Sequence, residues 1–301
     1  MSRNSHPVGR LCASVLLLAI AACVVAQDAP QKESHAKASN DSALSAQLVK
    51  TGLYLIEGGG ANSLLRFSAN GLILVDGKLP GNYRALMSQV RKISKISDLP
   101  VRVLIVTDHH ENHTGNDAQF LAAHVPIVAQ ENVKHNLKSS NPSDGEVALP
   151  TFTYADDYTL RLGGVEARLV HFGRAHTNGD SIVYFPNLKV IAVGDLYTPN
   201  TPEIDFACGG SLLSWGPVLG RILSLDFDIA VPSAGPLVTR AELEAFKTKL
   251  DTLVSRGVSL LDKGVTKDQL MARLETDDLG WHFSFTPEQL DKFYEELSHT
   301  R

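Results

Sequence analysis

The chain has 301 residues, with 28 Lys and Arg against 33 Asp and Glu, a formal charge of −5. A hydrophobic fraction of 44% with 20% charged residues is ordinary globular composition, which excludes disordered, collagen-like and coiled-coil classes. Both charge signs are dispersed without a basic stripe, which argues against nucleic acid as a partner.

The N-terminus carries Arg3 and Arg10 before an apolar run over residues 11–25, and no acid precedes Asp28. This is the pattern of a signal peptide over residues 1–26, cleaved after Ala26, and it predicts an exported protein, periplasmic or secreted. The run is too short for a comfortable membrane span, so no transmembrane span is expected in the mature chain. Ile20-Ala21-Ala22-Cys23 also resembles a bacterial lipobox, which makes a lipoprotein with a lipid anchor at Cys23 the alternative. Residues 27–45 are polar and small and read as a flexible leader. Beyond Cys12 and Cys23 only Cys208 remains, so the mature chain has no disulfide framework and no thiolate metal cluster.

Residues 46–301 read as one mixed α/β domain. Residues 52–78 look like consecutive strands, with Asn70-Gly71 as a tight-turn signal. A helix is expected over residues 83–97, from Leu86, Val90, Ile93 and Ile96 at helical spacing. Residues 101–106 form a nearly continuous apolar strand, typical of a buried sheet. A short helix over 116–123 and a strand over 126–129 follow, then a polar loop over 136–150. Residues 158–162 and 165–170 pair as a hairpin, as do 181–185 and 188–193. From residue 237 the chain is expected to be helical. Thr239 with Glu242 and Thr266 with Gln269 match capping boxes, and Thr286-Pro287 starts a last helix.

The chemistry lies on strand ends. The buried strand runs into Thr107-Asp108-His109-His110-Glu111-Asn112-His113-Thr114-Gly115-Asn116, three His and two acids on one loop. Such side chains offer lone pairs that converge on one cation. Gly173-Arg174-Ala175-His176-Thr177-Asn178-Gly179-Asp180 follows another apolar strand, and Gly194-Asp195 ends a third. Taken singly, His176 would be a packed histidine and Asp195 a turn residue.

As an ordered set these segments resemble the metallo-β-lactamase superfamily, whose motif is HxHxDH, then a distal His, a bridging Asp or Cys, and a last His. Registered on Thr107 and Thr114-Gly115, the motif falls on Asp108, His110, Asn112 and His113. The distal His falls on His176 and the bridge on Asp195. The last His falls on Ala234, within Val231-Pro232-Ser233-Ala234-Gly235-Pro236. The resemblance covers about residues 50–236 and implies an αββα sandwich with metals at one sheet edge.

It further implies a first metal site of Asp108, His110 and His176 with Asp195 bridging, and a second of Asn112, His113 and Asp195. Three departures bear on this. Asp108 replaces a His and remains a competent ligand. Asn112 replaces an Asp, and Ala234 supplies no donor. The second site is therefore expected to be weak or empty, leaving one zinc per chain rather than two, with iron or manganese as alternatives. Asn112 also lacks the carboxyl that in the family holds the attacking water and takes its proton. Glu111, next door at a position the family leaves variable, is a candidate substitute base, and His109 is expected to face away from the metal. Asp76 and Asp180 are candidates to orient the histidines.

The expected activity is a metal-dependent hydrolase acting on an ester, amide or lactam of a small-molecule substrate. A metal-binding protein without turnover is the alternative. A third is an iron-dependent dioxygenase, since two His and one carboxylate also describe a non-haem iron site. Cys208, Trp215, Trp281 and Phe283 are read as core residues and Tyr197 as an ordinary loop aromatic.

Overall fold

The computed structural model describes residues 44–95, 98–140 and 147–300, which belong to one unit. The expected signal peptide and nearly all of the expected leader lie outside the described residues. The first sheet contains β1 (Ser45–Lys50), β2 (Leu53–Glu57), β3 (Ser63–Ser68), β4 (Gly71–Val75), β5 (Val101–Ile105), β6 (Ile127–Gln130) and β7 (Phe152–Tyr154), in that spatial order. Pairing is antiparallel from β1 to β4 and parallel from β4 to β7.

The second sheet contains β8 (Asp157–Leu162), β9 (Val165–Val170), β10 (Ile182–Phe185), β11 (Val190–Gly194), β12 (Ile229–Pro232) and β13 (Val238–Thr239), ordered β13-β12-β11-β10-β9-β8. Only β11 and β12 pair in parallel there.

Alternation along the strands builds the layers. On β4, Ile73 and Val75 pack with Val183, Phe185 and Ala192 of the second sheet, while Leu72 and Leu74 face the other way. Those outward residues are covered by Leu86 and Val90 of α1 (Tyr83–Ile93) and by later helices. A strand buried on both faces has no polar position, which is why β4 and β11 read as unbroken apolar runs. After α2 (Glu111–Thr114), the covering helices are α3 (Asp117–Ala122) and α4 (Glu131–Ser140), through Phe120, Val133 and Leu137.

The far face of the second sheet carries Ile182, Ile191, Val193 and Ala230. It is covered by α5 (Leu212–Ile222) and α6 (Arg240–Asp262), with α7 (Lys267–Arg273) and α8 (Pro287–Ser298) adding to the same core. Mixed α/β with two sheets between helical layers is the expected sandwich, plus C-terminal helices.

Several local expectations are corrected. The polar loop expected from residue 136 begins inside α4, where Val133 and Leu137 at i, i+4 bury one helix face. Helix α1 ends at Ile93, and Ser94 returns its hydroxyl to the Val90 carbonyl at 2.8 Å. The strand β13 precedes the C-terminal helices. Thr239 and Thr286 form complete capping boxes, but the Thr266 side chain makes no cap bond. Cys208 is half-buried rather than core. Trp215 and Trp281 are buried, whereas Phe283 only packs against that core. Among the described residues no helix is long and apolar enough to cross a membrane.

Candidate metal centre

The loops after β4, β5, β9, β11 and β12 bring together residues far apart in the chain. Ser181 N–H donates to the Thr107 carbonyl at 2.9 Å, tying the His176 loop to the end of β5. Ser233 N–H donates to the Gly194 carbonyl at 3.0 Å, tying β12 to β11. Gly194 has φ +54, and a Cβ there would lie 2.8 Å from Thr107 Oγ1, so glycine lets β11 close against the motif loop before delivering Asp195.

One donor atom each from Asp108, His110, His176 and Asp195 lies within 4.8 Å of all the others. His110 Nδ1 is 3.3 Å from Asp108 Oδ1 and 3.2 Å from His176 Nε2. His176 Nε2 is 3.6 Å from Asp195 Oδ2. Asp108 is buried and its Oδ2 has no hydrogen-bond partner among the described residues. Burial would push its carboxyl up, but His113, His110 and His176 together hold it well below the ordinary range. Burial likewise opposes charge on His110, yet bonds to Asp108 and Asp205 raise it to about 10. Two imidazoles and two carboxylates with converging lone pairs are a chemically sound donor set for a divalent cation.

His113 lies fully buried beside this group. Its Nε2 is 3.1 Å from Asp195 Oδ2 and 3.5 Å from Asp108 Oδ2, and its Nδ1 is 3.1 Å from Asp76 Oδ2. Burial disfavours its charged form, but Asp108, Asp76 and Asp195 raise its pKa well above the usual value. Asp76 also accepts from Thr107 N–H at 2.9 Å, so its carboxylate sets both the loop and the His113 ring. The Asn112 carbonyl accepts from Ala61 N–H, and its side chain makes no hydrogen bond among the described residues. Ala234 is exposed, and the residue before it, Ser233, donates its hydroxyl to Asp195 Oδ1.

Three further residues contact the candidate donors. Asp205 Oδ2 is 3.2 Å from His110 Nε2 and 3.6 Å from His109 Nε2. The Glu203 carbonyl is 2.7 Å from His176 Nδ1. Ser233 is the third. His109, expected to face away from the metal, stays outside the four-donor group but forms a second one with His110 and Asp205. Burial and the neighbouring His110 lower its pKa to about 4.

Asp180 accepts from Thr177 N–H at 2.8 Å and Thr177 Oγ1 at 2.6 Å, and burial raises its pKa to about 7. It therefore shapes the turn after His176 through Thr177. Glu111 is exposed. Tyr197 packs against Phe246 with the rings tilted and their centroids 5.1 Å apart. Lys78 is fully buried, donating Nζ to the Ile56 and Ala61 carbonyls at 2.6 and 2.7 Å.

Comparison with known proteins agrees with this architecture. The chain is 30% identical over 172 residues to 2,4-dinitroanisole O-demethylase subunit alpha from Nocardioides sp. (strain JS1661), covering 56% of this chain and 51% of that protein. It is 26% identical over 163 residues to metallo-beta-lactamase IND-1 from Chryseobacterium indologenes, covering 54% and 65%. The chain thus spans between half and two thirds of these relatives. A metallo-beta-lactamase from Pontibacter korlensis shares the fold with a TM-score of 0.61 at 21% identity, over 69% of this chain and 99% of that one. The model of the metallo-beta-lactamase superfamily matches residues 56–234, which span β2 to the Ala234 turn and every donor described above, and the chain belongs to that superfamily.

Proposed function

We propose that the protein is an exported metal-dependent hydrolase of a small-molecule substrate, with Asp108, His110, His176 and Asp195 holding one divalent cation, zinc in first place. The observation that carries this is the convergence of those four donor atoms within 4.8 Å. Buried Asp108 fits the same role, because its Oδ2 accepts no hydrogen bond among the described residues and faces only His113 Nε2 at 3.5 Å. A zinc ion bound there supplies Lewis acidity, polarising the scissile bond and bringing the pKa of a bound water toward ~7.

The protein's own residues then do the positioning. Ser233 holds Asp195 Oδ1, while Oδ2 lies 3.1 Å from His113 Nε2 and 3.6 Å from His176 Nε2, between the two imidazoles. Asp195 would either complete the donor set of the cation or orient the attacking water. The Asn112 amide can donate or accept a hydrogen bond but cannot take a proton. His113 and Asp76 fill the second-site region with an ion pair rather than a three-donor cage. Arg3, Arg10 and the apolar run over residues 11–25 support export.

The test is elemental mass spectrometry on protein purified without chelators, followed by a panel of esters, amides, lactams and aryl methyl ethers. The panel includes the bond classes named by the relatives. One zinc per chain with turnover of any panel member supports the proposal. No metal after reconstitution, or metal without turnover, favours the second assignment, a binding protein without catalysis. The absence of an ionisable group at Asn112 and of a donor at Ala234 is the observation behind that alternative. Iron with oxygen uptake on a thiol would identify the dioxygenase instead.

A further inference from the structure

We infer that Asp205 is a positioning residue that fixes the orientation of His110, and that residues 203–205 bracket both candidate metal-binding histidines from behind. The inference rests on the assignment of His110 and His176 as metal ligands. Imidazole has two nitrogens, and the one that carries hydrogen is set by the acceptor it meets. His176 Nδ1 meets the Glu203 carbonyl at 2.7 Å, so Nδ1 donates and Nε2 keeps its lone pair for the donor group. His110 is held in the reverse sense. Its Nε2 meets Asp205 Oδ2 at 3.2 Å, which leaves Nδ1 facing Asp108 and His176.

The two acceptors lie two residues apart on one loop, and that loop is pinned to the site it serves. Asp205 N–H donates to the His176 carbonyl at 2.9 Å, and Gly210 N–H donates to the Asp205 carbonyl at 2.7 Å. Asp205 Oδ1 accepts from Cys208 N–H at 2.9 Å, and Oδ2 meets His110 Nε2 at 3.2 Å, with His109 Nε2 more distant at 3.6 Å. Gly210 has no room for a Cβ, which would lie 2.4 Å from the His176 carbonyl. A carboxylate acceptor also raises the basicity of the ligand nitrogen across the ring. His110 is 32% exposed, so packing alone does not hold it, whereas His176 is buried. The charged acceptor therefore stands behind the less confined ring.

The test measures zinc affinity of the full chain by competition with a fluorescent chelator, for the wild type, Asp205→Ala, Asp205→Asn and His110→Ala. Asp205→Ala is expected to weaken zinc by about 10- to 100-fold, and Asp205→Asn by less, because an amide oxygen still accepts the Nε2 hydrogen. On zinc-loaded protein labelled with 15N-histidine, the His110 Nε2 hydrogen should be protected in the wild type and exchange rapidly in Asp205→Ala. A merely structural role for Asp205 would not move that signal while the melting temperature of the zinc-free protein stays unchanged. If Asp205→Ala binds within about twofold of the wild type while His110→Ala does not bind, the inference fails and the ligand assignment stands. If the wild type binds no zinc, or His110→Ala binds as well as the wild type, the ligand assignment fails and takes the inference with it.

Discussion

His113 Nε2 sits 3.1 Å from Asp195 Oδ2, and the opposite nitrogen of the same ring sits 3.1 Å from Asp76 Oδ2. A fully buried histidine thus lies between two carboxylates in the region where a second cation would be held. Asn112 and Ala234, which stand at the remaining motif positions, have no charged side chain.

Restoring those donors should restore the second site. Asn112→Asp combined with Ala234→His is expected to raise metal content from about one toward two equivalents per chain, because a carboxylate and an imidazole replace groups that bind transition metals weakly or not at all. Elemental analysis after dialysis against zinc reads this directly. An unchanged stoichiometry would show that His113 is committed to its ion pairs.

Removing either imidazole of the four-donor group should remove the cation. His110→Ala and His176→Ala each leave three donors and are expected to purify with a small fraction of an equivalent of zinc. Turnover should fall by a factor of about a thousand or more, which corresponds to the several kcal/mol that Lewis-acid assistance supplies. Full activity in either variant would sink the ligand assignment.

Lys78 should make stability depend on pH. Burial lowers its pKa from 10.5 to about 7, with Asp76 and Glu57 only partly opposing the shift. Between those values the folded protein binds fewer protons at Lys78 than the unfolded chain does. Stability therefore rises with pH across that window, and the cost of the buried charge is fully present below about pH 7. Lys78→Met lacks this term, so its unfolding free energy should climb less steeply from pH 7 to pH 10, by up to about 1.4 kcal/mol per pH unit. Urea titrations at several pH values measure the difference, and parallel slopes would count against a neutral buried lysine.

Trp215 joins the C-terminal helices to the site. It is fully buried, its indole N–H donates to the Leu196 carbonyl at 3.0 Å, and its ring lies 6.1 Å from that of His176. Trp215→Ala should cost about 3–5 kcal/mol of stability through the cavity it opens. Denaturant unfolding checks this, and a loss under about 1 kcal/mol would mean that α5 repacks freely.

Much of the architecture was legible because it rests on local rules. Strands β4 and β11 stand out as apolar runs buried on both faces, β5 is interrupted only by the exposed Arg102, and the Thr239 and Thr286 boxes close. Helix α4 was harder to see, since Val133 and Leu137 are its main apolar signal and it runs into a polar segment. The edge strand β7 has three residues, too few for alternation to register.

The candidate site divides in the same way. Asp108, His110, His113, His176 and Asp195 are visible in the chain because each follows an apolar strand in a recognisable order. Asp205 and the Glu203 carbonyl are not, since they sit in a segment without periodicity, and Ser233 shows only as the neighbour of the last motif position. Asp205 reaches His110 across 95 positions of sequence. Hydrophobic alternation and strand-end motifs are short-range properties, so the amino-acid order determined a mixed α/β domain and the donor types, and the sandwich followed from the family resemblance that those motifs carry. The direction in which each imidazole faces depends on acceptors delivered by distant loops, and only tertiary packing brings those acceptors within hydrogen-bond range: between loops of the second sheet for His176 and Glu203, between the sheets for His110 and Asp205.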